Sequence, residues 1–230
     1  MIYRTVALLI FVVSLAVGHA PAGADTQWTD WTSFSVGTPG SATGSVSGVN
    51  VSYAGELDAA VINGTSTIWA PNTSFVGGTV TVSPSSVGDD LRLNGIFPAT
   101  FDGINTITFD EPVENPLFAI WSLGSPSIPA TFTFVATPTL QAGGPNSIFG
   151  GSSITVLGNV VSGREGNGVV QFNGTFTSIS WTNTAENFYA FTVGVNGPAG
   201  PPPAVPEPGS LALLVSGLGF ALGWLYRKRP

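Results

Sequence analysis

Three short runs carry the residue types that could do chemistry: Asp89-Asp90, Asp110-Glu111, and Glu114 followed by Asn115, with Asp102-Gly103 as a turn signature. Loop carboxylates with nearby carbonyls form the ligand set that calcium takes. Their spacing matches neither an EF-hand loop nor a Gly/Asp nonapeptide repeat, and solvated acids also serve to keep sheet edges from pairing. Two of these carboxylates could equally form a glycosidase pair, but their separation decides that, and a sequence does not supply it. Trp28, Trp31, Trp69, Trp121 and Trp181 are candidate platforms for stacking sugars; the competing role is core packing. Trp28 and Trp31 stand three residues apart, so one regular strand would put them on opposite faces and expose one of them. There is no Cys, and the single His is His19. Disulfides, thiolate nucleophiles, imidazole bases and the usual zinc sites are therefore excluded from the folded part. No catalytic residue and no metal ligand is assigned. The expectation is a protein that is not an enzyme and needs no cofactor, with calcium the one ion its loop acids could take.

The elements that would position these residues read as strands. Charged residues make up only 8% of the 230 residues, while Gly (30) and Pro (18) are abundant, a mix that suits many strands joined by turns. Short alternating runs recur: "GVNVSYAGEL", "TVTVS", "NTITFD", "ATFTFVA" and "SSITVLG". Period two over such lengths predicts half-buried strands. "LFAIWSL" (Leu117 to Leu123) and the stretch from Phe188 to Val195 are apolar on both faces, which predicts central strands. Asn167-Gly168 and Asn173-Gly174 are hairpin signals. No amphipathic helix pattern lies between the two ends. About ten to twelve strands without an exact repeat or internal linker predict an all-β fold, a single antiparallel β-sandwich, jelly-roll-like, over residues 25–195. Between Asp25 and Ala204 there are twelve acids and only two bases, Arg92 and Arg164. Such a segment is repelled by phosphate backbones, so nucleic acid is excluded as a partner.

Both ends are apolar. Residues 1–24 read as a signal-peptide helix: Arg4 supplies positive charge, Val6 to Val17 form the apolar stretch, and Ala22-Gly23-Ala24 offers small residues for cleavage before Asp25. His19 falls in this removable segment. Residues 196–208, "NGPAGPPPAVPEP", predict an exposed, semi-rigid linker, because its prolines fix φ and hold their predecessors extended. Residues 209–226 contain no charge and would span about 27 Å as a helix, close to the thickness of a bilayer's hydrocarbon core. They read as a transmembrane helix, with Trp224 and Tyr226 at the interface. Arg227, Lys228 and Arg229, in the tail 227–230, would be held on the cytoplasmic side.

The succession of Pro206-Glu207-Pro208, a Gly/Leu-rich membrane helix and a short basic end resembles the PEP-CTERM sorting signal of Gram-negative bacteria. The resemblance covers about the last 25 residues of the sequence. It implies an exosortase as processing partner, transient residence in the inner membrane, and a final place in the cell envelope or extracellular surface. It also implies an association with extracellular polysaccharide. It brings no assigned activity for the β-rich part.

Overall fold

The computed structural model describes residues 25–197. They form sixteen strands: β1 (Thr26–Trp28), β2 (Asp30–Ser35), β3 (Gly37–Val46), β4 (Val49–Leu57), β5 (Ala59–Val61), β6 (Asp90–Leu93), β7 (Asn105–Glu114), β8 (Leu117–Leu123), β9 (Ala130–Phe134), β10 (Pro138–Gly143), β11 (Ser152–Ser153), β12 (Thr155–Leu157), β13 (Val160–Gly163), β14 (Gly166–Phe172), β15 (Thr175–Asn183) and β16 (Tyr189–Asn196). The only helical turns among the described residues are two short 3-10 segments, Asn72–Ser74 and Pro84–Ser86. No helix among them is long and apolar enough to cross a membrane. The expected signal-peptide helix and the expected span 209–226 lie outside the described residues.

The strands make two eight-stranded sheets. Sheet A runs β10-β14-β8-β16-β6-β5, with β1 also pairing β16 and β11 pairing β14; sheet B runs β12-β13-β9-β15-β7-β4-β3-β2. All pairs are antiparallel except the two-residue β11–β14 contact. From β6 to β9, and again from β13 to β16, each strand crosses to the other sheet. The two arms run side by side: β6 pairs β16, β7 pairs β15, β8 pairs β14 and β9 pairs β13. A double ribbon folded over in this way is the winding of a jelly roll.

Each fold of the ribbon is a corner where both arms leave one sheet for the other, and the two arms bond to each other there. At the first corner Glu186 N donates to Asn94 O (2.8 Å). At the second, Asn115 N donates to Gly174 O (2.7 Å), and Gly174 N returns a bond to Asn115 Oδ1 (2.8 Å). At the third, Glu165 N donates to Gly124 O (3.1 Å). Gly124 has φ +76°, and a Cβ there would lie 2.5 Å from Gly163 O and 2.7 Å from Ala130 N. Only glycine fits this turn without strain.

The space between the sheets is filled by aromatic rings around Phe118. Its ring lies 5.0 Å from Trp181 and 5.2 Å from Phe134, both edge-on, and stacks on Phe191 at 5.0 Å. Sheet A has a second core on its other face. There Trp28, Leu117, Ala119, Trp121, Val169 and Ala190 meet Ile68, Trp69, Phe75 and Val80 from the excursion between β5 and β6. Every residue of β8 and β14 is therefore buried. Both apolar stretches, Leu117 to Leu123 and Phe188 to Val195, supply interior strands of sheet A, as their sequence predicts.

Three sequence expectations are overturned. "TVTVS" is no strand: apart from the isolated Gly77–Val80 bridge it belongs to the covering excursion, where Val80 packs as a plug on sheet A. Asn167-Gly168 is no turn. Asn167 is buried within β14, where its side chain accepts from Ser122 N (2.9 Å) and donates to Glu165 O (2.8 Å). Asn173-Gly174 turns the chain, but from sheet A to sheet B rather than within a hairpin.

Gly124→Ala should cost about 2 kcal/mol or more, because strain and clash act together. Gly158→Ala (φ +59°, with nothing within 4 Å) should cost only about 1 kcal/mol from its positive φ alone. Urea unfolding of the two variants checks the difference; equal losses would remove the corner's steric role.

Candidate functional site

Pro206, Glu207, Pro208, Arg227, Lys228, Arg229, Ala22 and Ala24 lie outside the described residues. Asp25 is the first described residue and is exposed. Its carbonyl accepts from Gly197 N (3.1 Å), and β1 then pairs along the end of β16, with Thr26 opposite Asn196 and Trp28 opposite Gly194. Thr26 Oγ1 also donates to Asn196 Oδ1 (2.8 Å). The place where the chain leaves toward the proline-rich segment is thus clamped by the first strand after the expected cleavage point.

The acidic runs do not converge. Among the described residues no three His, Cys, Asp or Glu side chains come close enough to hold a metal ion. Asp90 is buried and paired with Arg92 Nε at 2.6 Å. Asp110 accepts from Asn50 N (3.0 Å) and Asn50 Nδ2 (2.5 Å). Asn115 sits at φ +48° in the second corner, and Asp102 caps its own turn by accepting from Ile104 N (3.0 Å). Asp89 is fully buried and accepts from Trp31 N (2.7 Å) and Gly64 N (2.6 Å). It thereby ties the start of sheet B to the excursion that covers sheet A. Burial pushes its carboxyl above the ordinary carboxylate value; the two N–H bonds pull the other way, and Asp30 and Asp90 add to the rise.

The tryptophans are structural. All five are at most 4% exposed, so none offers a ring to a sugar. Trp28 and Trp31 are both buried although three apart, because the chain changes sheets between them. Trp28 belongs to β1 on sheet A and packs in the outer core; Trp31 belongs to β2 on sheet B and packs between the sheets. Thr29, at the crossing, is held by Val193 O through both its N (2.9 Å) and its hydroxyl (2.9 Å).

One polar cluster has no signature in the sequence. Glu56 of β4 is 1% exposed, and its carboxyl group accepts from Asn94 N (2.8 Å), Gly95 N (2.7 Å) and Asn183 Nδ2 (2.8 Å). Asn183 Oδ1 accepts from Asn105 Nδ2 (2.6 Å), and Asn105 Oδ1 accepts from Glu56 N (2.9 Å) and the Tyr53 hydroxyl (2.7 Å). The Tyr189 hydroxyl donates to Thr184 O (2.8 Å) and accepts from Asn183. Burial, and after it the nearby Glu56, raises both tyrosines above the ordinary phenol value and keeps them neutral donors. The cluster pins both arms of the first corner to β4. Its donors and acceptors are spent largely on the fold.

Glu56→Ala would strand two backbone N–H groups and an amide in the interior, and should cost about 3 kcal/mol or more. A fall in the urea midpoint at unchanged slope checks this. For Asp89 the sign is set by its raised pKa. Its contribution is fullest below the unfolded carboxylate value of about 4 and is lost as pH rises through the folded value. Asp89→Asn cannot ionise, so the stability of wild type relative to this variant should fall as pH rises above the unfolded carboxylate value of about 4. A difference that stays flat or grows with pH would contradict the assignment.

The chain was also compared with known proteins. It matches no curated protein and no solved structure. A family model, the PEP-CTERM protein-sorting motif, matches residues 204–229, which include Pro206, Glu207, Pro208 and the basic residues Arg227, Lys228 and Arg229. The motif implies export and a membrane-associated destination at the cell envelope. Beyond Gly197 in the sequence, the chain carries a PEP-CTERM protein-sorting motif, the signal by which an exosortase sorts proteins to the cell surface.

Proposed function

We propose that this is an exported, non-catalytic protein of the cell surface or extracellular matrix, whose β-sandwich acts by contact and not by chemistry. On this reading residues 1–24 are a signal peptide removed before Asp25. Residues 209–226 hold the precursor in the inner membrane, with Arg227, Lys228 and Arg229 on the cytoplasmic side. Exosortase then acts near Pro206-Glu207-Pro208 and releases the sandwich to the surface.

The observation that carries this reading is the sorting motif at residues 204–229. Its support comes from the character of the sandwich. The buried acids Glu56 and Asp89 each hold separate elements together, and Asp90 is paired with Arg92 within β6. The tryptophans read from the sequence as stacking platforms are core residues.

Intact mass of the protein from its native host, with and without the processing enzyme, tests the proposal. The expected result is loss of residues 1–24 in both strains, and loss of the residues beyond the Pro206–Pro208 region only when the enzyme is present. Retention of Trp224 and the basic residues in both strains would overturn it.

A further inference from the structure

The outer face of sheet B is a carpet of hydroxyls. Alternation places Ile107, Phe109, Ile179 and Trp181 inward and leaves serines and threonines outward. The strand register aligns these into rows. Ser33, Thr43, Ser52, Thr108 and Ser178 lie opposite one another across β2, β3, β4, β7 and β15. One step along the strands, Ser35, Ser41, Ala54, Thr106 and Ser180 form a second row. Neighbours within a row are about 4.8 Å apart, and rows are separated by about 7 Å.

The first row borders a groove of about 320 Å³, lined by Thr32, Thr43, Asn50, Ser52, Thr108 and Asp110, all exposed. Its floor includes Gly44, opposite the bulge in β2. A Cβ at Gly44 would stand 2.4 Å from Asp30 O, so the glycine lets β2 and β3 approach closely here. At one end Asp110 and Asn50 hold each other, which fixes a carboxylate and an amide side by side.

We propose that this face binds a neutral polysaccharide, with the groove as the seat for one or two sugar units; the inference rests on the surface destination proposed above. Hydroxyls both donate and accept, and a fixed carboxylate beside an amide suits the vicinal hydroxyl pairs of a sugar ring. Charge selects the neutral class. Asp110 is the one charged group lining the groove. The two arginines of the described residues are occupied elsewhere, Arg92 with Asp90 and Arg164 with Pro126 O (3.1 Å). A polymer bearing uronates, phosphates or sulfates would meet a carboxylate and no cation. No tryptophan is available as a stacking platform, so a single sugar is held weakly and a polymer gains by engaging successive rows.

Affinity electrophoresis of the purified full chain in mild detergent tests this, through gels containing a neutral glucan, mannan or galactan, with alginate as the anionic control. At least one neutral polymer should retard the protein, and alginate should not. The triple variant Thr43→Val, Ser52→Ala, Thr108→Val should bind the retarding polymer about tenfold more weakly, from three lost hydrogen bonds. Thr139→Val, exposed on β10 of sheet A and away from this face, should bind as wild type. No retardation by any neutral polymer overturns the proposal. So does retardation that the triple variant leaves unchanged, or a triple variant that alters only the oligomeric state, which would make the face an interface between copies. The test needs no sorting in cells, so its failure is distinct from a failure of the processing experiment.

Discussion

The fold depends on one constraint: two arms of the chain must turn the same three corners together. A strand that leaves its sheet abandons its ladder bonds, and buried backbone groups left without partners are costly. Here the partner at each corner is the other arm, leaving its own sheet at the same place. Asn94 meets Glu186, Asn115 meets Gly174, and Gly124 meets Glu165. The sequence separations are long, so the corners form only when most of the chain is already in place. That makes the sandwich cooperative without a single disulfide, which a chain lacking cysteine could not supply. It also accounts for the cost of placing Glu56 in the interior. The first corner has the most loose backbone, and this carboxyl group gathers it.

The two sheets differ, and the difference explains the composition. Sheet A is buried on both faces, against sheet B and beneath the excursion between β5 and β6, so its central strands β8 and β14 are buried throughout, and the few polar residues on them, such as Asn167 and Ser122, are buried with them. Sheet B is buried on one face and alternates, and many of its outward positions are hydroxyls, with exposed acids such as Asp110, Glu111 and Glu114 toward the end of β7. The scarcity of Lys and Arg is thus a property of a surface, not a sign of a poorly solvated chain. A face of this kind stays hydrated while repelling few neutral partners, which fits a protein whose sorting motif sends it to the cell surface.

Much of this was legible in the sequence wherever the pattern was local. The alternation of Val49, Val51 and Tyr53, or of Phe132 and Phe134, fixes which face is buried, and β4 and β9 follow it. The tripeptide Pro206-Glu207-Pro208 with its apolar and basic sequel was equally readable, and the family model matches it. What stayed hidden was decided by distant partners. Val80 alternates like a strand residue, yet its neighbours belong to the outer core and not to a ladder. Asn167-Gly168 has the chemistry of a turn, but the Asn167 amide finds the Ser122 N–H 45 positions away and is drawn into β14. Trp28 and Trp31 obey strand geometry only if one strand holds both, and the sheet change at Thr29 removes that premise. Glu56 looks like any surface acid until the first corner closes around it.

The clamp on β16 has a mechanical consequence. Consider a pull at Gly197 directed along β16. That strand is flanked by β8 on one side, and on the other by β6 at its start and β1 at its end. A load in that direction stretches the hydrogen bonds of both flanks in parallel, as shear, instead of opening them one after another like a zip. β16 would leave the sheet under such a load only if the bonds of both flanks gave way together.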